Sequence, residues 1–422
     1  MTNRFFLGTT LTFLCLGTFI SCDGDEDNPL LLSDTAAKQE TLPKPVKEVT
    51  PCVNGKAGSF DCNGIDLIAQ VSIADLGGDS NRISANDCWG WTDPDNEKEY
   101  AIIGISNGTA FVDISTPDRP VVKGLLPTAT ENSGWRDIKV YGNHAFIVSE
   151  ARGHGLQVFD LTRLRAEGVE QNFTADLRLT DFGNAHNIVI NEYKGFAYVT
   201  GTNRRDTYNG GVTIIDVREP KAAKVVGGYG ADGYSHDGQV VTYCGPDKEH
   251  TDKEIFIGSN ENQVVIVDVT DPTNANRISS IRYDNIGYTH QGWFTDDQRY
   301  FLLGDELDEQ RIGLNTRTVV FDFTDLDNPV IHREYFGGSK AIDHNGYVKE
   351  NTFYLANYTA GVRLIDISDI ENKNMEEVAF FDTFTPSDAT QFSGVWNVYP
   401  YFKSGYMIAS DIQQGLFVLK EK

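Results

Sequence analysis

The stretch Val264-Val265-Ile266-Val267-Asp268-Val269-Thr270-Asp271-Pro272 decides the fold. It is an unbroken β-branched run, followed by an acid and a Ser/Thr-type turn closed by proline. An apolar run of this length without alternation suits a strand covered on both faces, and β-branching argues against helix. The acid and hydroxyl can bond turn backbone, and the proline cannot continue a ladder.

The phrase recurs. Gly108 leads to Phe111-Val112-Asp113-Ile114-Ser115-Thr116-Pro117, Gly155 to Val158-Phe159-Asp160-Leu161-Thr162, and Gly211 to Ile214-Ile215-Asp216-Val217 and Pro220. Later come Val319-Val320-Phe321-Asp322-Phe323-Thr324 with Pro329, and Gly361 to Leu364-Ile365-Asp366-Ile367-Ser368. The last copy is Gly415-Leu416-Phe417-Val418-Leu419, where Lys420 replaces the acid. Seven copies with anchors roughly 45–55 residues apart match the period of four-stranded propeller blades. The predicted fold is an all-β, seven-bladed β-propeller.

With these motifs in hand, the chain resembles the LVIVD-repeat proteins of the choice-of-anchor B family, exported and surface-attached bacterial proteins. The resemblance is carried by Cys52 through Cys62, Trp89-Gly90-Trp91, Trp135-Arg136-Asp137, Gln157 to Leu161, Ala185-His186-Asn187, Tyr243 with Gly245-Pro246-Asp247, Thr289-His290-Gln291-Gly292-Trp293, Asp305-Glu306-Leu307-Asp308-Glu309 and Asp343-His344-Asn345. It covers nearly everything from Cys52 to Leu419. It implies a propeller whose membrane or wall attachment varies between members. It implies no activity, because the family is defined by how it is held.

The amino terminus reads as an export signal. Arg4 supplies a thin positive region, residues 5–19 are apolar, and Phe19-Ile20-Ser21-Cys22 has the form of a lipobox with lipid on Cys22. The apolar run is too short to span a bilayer, so residues 1–21 are a lipoprotein signal peptide. Residues 22–50 begin with Asp23-Gly24-Asp25-Glu26-Asp27 and contain three prolines, which reads as an acidic disordered tether. Residues 51–422 form the propeller. The acidic run resembles the signal that sends some lipoproteins to the outer membrane facing the exterior, where the partner would be a small molecule or a surface protein.

The net charge of −25 argues against nucleic acid and anionic membrane surfaces, which need basic patches. No Walker loop, dinucleotide fingerprint or zinc-finger spacing is present. Cys52 and Cys62 bracket a short glycine-containing loop in an exported chain and are predicted to be bridged. Cys88 and Cys244 fall in different blades and are expected unpaired. Residues 161–169 are the only helix-like stretch.

The carboxyl end stops after the third strand of blade seven. Residues 65–73, Ile-Asp-Leu-Ile-Ala-Gln-Val-Ser-Ile, are predicted to supply the fourth and close the ring, removing two sheet edges.

Aligning the first strands places Cys88, Arg136, His186, His236, His290, His344 and Trp396 at one position. The next position carries Trp89, Asp137, Asn187, Asp237, Gln291, Asn345 and Asn397, with blade one set by matching Gly90-Trp91 to Gly292-Trp293. In a propeller the first strand lines the channel and begins where the second strand ends. Those second-strand ends carry Glu150, Arg204, Asn260, Asp305 with Glu306, Asn357 and Asp411. The predicted ligand site at the channel mouth therefore comprises Arg136, Asp137, Glu150, Asp237, Asn260, Asp305, Glu306, Asn345 and Trp396.

His186, His236, His290 and His344 are the metal candidates. Imidazole suits zinc or copper, and neighbouring acids would orient the rings. Asp305, Glu306 and Asn260 would suit calcium. Against a metal, each His could instead bond backbone or the next blade's acid as a repeated structural device. Asp308 and Glu309 read as a solvated loop with surface ion pairs. No catalytic residue follows from spacing. Two functions compete: a surface-displayed binding module, and a metal-dependent hydrolase or oxidase with Glu306 or Glu150 as base.

Overall fold

The signature acid works as a turn cap. Asp268 Oδ1 accepts the Thr270 amide at 3.0 Å, and Asp113, Asp160, Asp216, Asp322 and Asp366 each accept the amide two residues on. A side chain that mimics a backbone turn in this way ends the strand and frees the chain to start the next. The glycine ahead of the run is set by its backbone conformation and by the close approach of the outer strand. Gly155 and Gly415 have φ of 69° and 91°, and a Cβ on either would strike the outer strand's backbone, at Leu179 and Val71.

The computed structural model describes residues 49–422, except 167, 169–171 and 386. The expected signal peptide, Cys22 and nearly all of the expected tether lie outside the described residues. Seven antiparallel sheets form the fold. Their first strands are Ala85–Thr92, Arg136–Tyr141, Asn187–Asn191, Asp237–Thr242, Thr289–Phe294, Gly346–Lys349 and Val395–Tyr399, numbered here as blades one to seven. Each first strand touches the next, and that of blade seven touches that of blade one, so the ring is closed. A short 3-10 turn, Leu161–Arg165, occupies the helix-like stretch.

Closure is as predicted. Ile65–Val71 pairs antiparallel with Gly415–Glu421, with Leu67 opposite Leu419 and Val71 opposite Leu416. The strand ends at Val71, two residues short of the predicted boundary, because Ser72 and Asp75 take up a turn. A second feature was not foreseen. The hairpin Lys56–Ala57 with Phe60–Asn63 adds two strands to the outer edge of blade six, with Cys62 opposite Phe381. Cys52 and Cys62 are disulfide-bonded, so the staple sits on blade six while the strand after it completes blade seven. Phe60, fully buried, packs against Phe381 of blade six at 5.4 Å and Phe417 of blade seven at 5.5 Å. Cys88 and Cys244 are unpaired.

The alignment of blade one needs correction. Cys88 pairs with Ile103, whereas in blade two Asp137 pairs with Val148 and Ile138 with Ile147. Asp87 Oδ2 accepts the Ile138 amide just as Asp137 Oδ2 accepts that of Ile188. Asn86 and Asp87 therefore hold the two repeated positions, and Cys88 and Trp89 lie two residues deeper. A register slip inside this strand, between Ala85 and Cys88, hides the match from sequence spacing.

Candidate functional site at the channel mouth

Because the first strands line the channel, equal positions on different blades meet. The rings of His186 and His236 lie 4.0 Å apart between centroids, His236 and His290 4.5 Å, and His290 and His344 4.5 Å, with Trp396 completing the arc 4.8 Å from His344. All but His186 are buried.

The four imidazoles do not share one focus. His186 Nδ1 pairs with Glu150 Oε1 at 2.6 Å; burial works against its charge, but the Glu150 bond and charge outweigh it and raise its pKa. His236 Nδ1 has no side-chain or backbone partner. Burial, then the neighbouring imidazoles, push His236 and His290 below the ordinary range. Glu150 takes His186 Nδ1, and neither His186 nor His236 joins the close cluster that His290 and His344 form with Glu306; the two rings lie tilted at 44° to each other in the arc.

His290 and His344 do converge, on Glu306. His290 Nε2 lies 3.7 Å from Glu306 Oε2, and His344 Nε2 lies 3.7 Å from Oε1. One nitrogen from each ring and one Glu306 oxygen all lie within 4.8 Å of one another. His344 Nδ1 is 2.5 Å from the Trp396 carbonyl, which can only accept, so Nδ1 carries the proton and a neutral ring offers its Nε2 lone pair to the centre. Burial brings its pKa down to about 3. Burial raises the Glu306 carboxyl to about 7, against the opposing hydrogen bond from Tyr358 Oη at 3.0 Å.

Beneath this arc lies a layer that latches blade to blade. Asp137 accepts the Ile188 amide at 2.7 Å, Asn187 donates to Asp237 at 2.7 Å, and Gln291 exchanges two bonds with the Gly346 backbone. At this second position the structural device is real. Lys139, buried, neutralises Asp137 at 2.6 Å, reaches Asp87 at 3.5 Å and lies 4.6 Å over the Trp89 ring. Deeper still, Trp89 of blade one packs edge to face on Tyr347 of blade six at 5.7 Å and Tyr399 of blade seven at 5.0 Å.

The mouth cavity is lined by Arg136, His186, His290, His344, Asn345 and Trp396, with Trp135 and the acids Asp87, Asp137 and Asp237. The cavity is small, with room for about one water or an ion.

Several predicted ligands are engaged elsewhere. Asp305 accepts the amides of Gly287 and Tyr288 and the Tyr283 hydroxyl, and Asn260 accepts from Ser235 Oγ and donates to the Asp232 carbonyl. Neither reaches the mouth, and with them goes the oxygen-rich set that calcium needs. Asp308 and Glu309 are corrected too. Both are buried, and Asp308 is gripped by Arg317 Nε at 2.6 Å. Reasoning from sequence also missed Tyr358, Lys139 and His154, whose Nε2 lies 3.1 Å from Arg136 Nη1. Lys139 was legible, since two residues after Asp137 it shares that residue's face. Tyr358 and His154 come from loops whose path no spacing predicts.

Asp237 offers a pH test. Burial first, then Asp137, push its carboxyl up to about 7. A carboxyl raised above its unfolded value contributes stability that is full below about pH 4 and lost as pH rises through 7. Asp237→Asn should therefore gain on wild type by up to a few kcal/mol between pH 5 and 8, order of magnitude. Asn187 can flip to serve the new amide, since its Oδ1 has no partner. Thermal melts of both proteins across that range check it; a pH-independent difference contradicts it.

A family model of the LVIVD repeat matches residues 97–128 and 255–282. This is a seven-bladed propeller that carries LVIVD repeats. No curated protein matches the chain. Among solved structures, the β-propeller domain of Cps50 (Swd1) from Myceliophteria thermophila is 10% identical, with a TM-score of 0.53, over 80% of this chain and 96% of that one. A protein from Lactobacillus plantarum is 11% identical with a TM-score of 0.51, over 77% and 88%. A functionally unknown protein from Desulfotomaculum acetoxidans is 10% identical with a TM-score of 0.50, over 73% and 87%. At these identities the likeness shows the fold of the LVIVD propeller.

Proposed function

We propose that this LVIVD propeller is the binding module of an exported lipoprotein, of the choice-of-anchor B kind, held by lipid on Cys22 and facing the exterior. Its ligand at the channel mouth is a divalent transition-metal ion bound by His290 Nε2, His344 Nε2 and Glu306. The observation that carries this reading is the pair of 3.7 Å separations with the His344 lone pair directed inward. They are too long for hydrogen bonds, and close to the ~3.4 Å between two ligands each about 2.1 Å from one tetrahedral ion. Two imidazoles and one carboxylate favour zinc or copper over calcium. The lipid anchor rests on the lipobox and on the resemblance.

Elemental analysis of chelator-stripped, zinc-reloaded protein tests it. Wild type should retain one zinc per chain and His290→Ala/His344→Ala none; equal, near-zero zinc in both sinks the reading. A second reading, a metal-dependent hydrolase, is favoured by the Glu150–His186 pair at 2.6 Å beside the arc, an acid–base group next to a metal with an open position. Hydrolysis of p-nitrophenyl acetate by the zinc form, lost in Glu150→Gln, would support it; an equal rate in the variant would remove it.

A further inference from the structure

Arg136 occupies the position on blade two that histidine holds on blades three to six, and it is 1% exposed. A guanidinium is costly to bury, and natural proteins surround it with carboxylates or carbonyls. This one has neither. Among the described residues it makes no ion pair. Nη1 faces His154 Nε2 at 3.1 Å, and Nε and Nη2 are buried with no partner at all. His154 Nδ1 lies 2.9 Å from the Gly155 carbonyl, so it carries the proton there and its Nε2 is the acceptor for Nη1.

The acids that share the cavity are committed to other groups. Asp137 holds Lys139 and the Ile188 amide, Asp237 holds Asn187 and the Gly238 amide, and Asp87 holds the Ile138 amide and Asn397. Arg136 is therefore an uncompensated buried cation in a chain of net charge −25, and it lines the mouth cavity.

Which atoms are bare identifies the ligand. Nε and Nη2 form one edge of the guanidinium plane, whose two parallel N–H groups match the two oxygens of a carboxylate. The chain uses that edge elsewhere. Arg165 grips Asp93 with Nε at 2.7 Å and Nη2 at 2.6 Å, and Arg218 grips Asp216 with Nε at 2.9 Å and Nη2 at 2.5 Å. In Arg136 the same edge faces no protein carboxylate.

We propose that Arg136 is a carboxylate-binding residue, whose Nε–Nη2 edge takes the head group of a small organic acid entering the channel mouth, with Trp135 and Trp396 as walls. The cavity as it stands holds about one water, so the Trp135 and Trp396 side chains must move aside for the head group to reach Nε and Nη2. The inference rests on the mouth being a binding site, and it stands or falls apart from the metal there.

The experiment is calorimetric titration of the full propeller with sodium acetate, both chelator-treated and zinc-loaded, in wild type, Arg136→Met and Arg136→Lys. Wild type should bind acetate saturably, and both variants should bind it roughly ten- to a hundredfold more weakly, because a bidentate charge-assisted contact is lost and lysine cannot replace it. Phosphate and chloride are the control probes, and either one binding as tightly as acetate overturns the carboxylate assignment. Thermal melts give a second readout. Acetate should raise the wild-type midpoint over that in matched chloride and leave both variants unmoved, while Arg136→Met without acetate melts no lower than wild type, since it removes a buried unpaired charge. A merely structural arginine would give the reverse, an Arg136→Met that melts lower and no acetate dependence, and would overturn the proposal. If Arg136→Met does not fold, Arg136→Lys carries the comparison. Zinc retained with acetate bound equally by all three proteins removes this inference alone; acetate bound by wild type with no zinc removes the metal alone.

Discussion

Leu67→Asp opens the ring. Leu67 is fully buried in the closing strand, opposite Leu419 and packed among Phe60, Met407 and Phe417, and its backbone exchanges two bonds with Thr50. Truncation alone of such a leucine costs about 2–5 kcal/mol, and a carboxylate buried without a partner adds to that. The consequence reaches beyond the site. Ile65–Val71 is the fourth strand of blade seven, so releasing it exposes the edge formed by Gly415–Glu421 and frees the Phe60 wedge between blades six and seven. Hydrogen exchange is the discriminating measurement. Amides of 65–71 and 415–421 should lose protection together, while those of Asn187–Asn191 in blade three keep theirs longest. A variant that melts like wild type, or loses protection evenly around the ring, would contradict closure by this strand.

Arg317→Met should cost about 3–5 kcal/mol, the penalty for breaking a buried ionic group from one side. The guanidinium is buried and every nitrogen is used: Nε on Asp308 at 2.6 Å, Nη1 on Glu334 at 2.8 Å and the Asp284 carbonyl, Nη2 on the Asn285 carbonyl at 2.9 Å and Asp305 at 3.4 Å. Without it, Asp305 and Asp308 remain buried and uncompensated. Burial already raises Asp308 to about 7 with Arg317 opposing it. Removing Arg317 raises that carboxyl further, so the loss should grow as pH rises from 5 to 8. Urea unfolding at both pH values checks it. Arg317→Lys should fall between, keeping the charge without the fork. A loss below 1 kcal/mol at pH 8 would mean the network is not what holds the loop after Asp305.

Arg317 and Arg136 are instructive together. Both are arginines at strand starts, and nothing local separates them. One bonds three acids and the other none, because the loop after Asp305 brings Asp308 onto Arg317 while the loop after Glu150 brings His154 onto Arg136. The same loop explains why Asp308 and Glu309, so charged in sequence, are buried. Spacing within a repeat reports which face a residue occupies; it says nothing of what a loop of irregular length will bring to it.

What the chain by itself determined is the repeat. Seven apolar runs, six of them ended by an acid that caps its own turn, give the blades, their number and the arc of His186, His236, His290 and His344, because strand period and turn chemistry are local. Closure by residues 65–73, of which 65–71 form the strand, followed from counting strands. Tertiary structure alone decided which nitrogens face Glu306, that Asn86 and Asp87 replace Cys88 and Trp89 in the rows, and that Arg136 lacks a carboxylate. Those depend on a slip of register, a tautomer held by the Trp396 carbonyl and the courses of loops, each fixed by groups distant in the chain that meet only when the ring is closed.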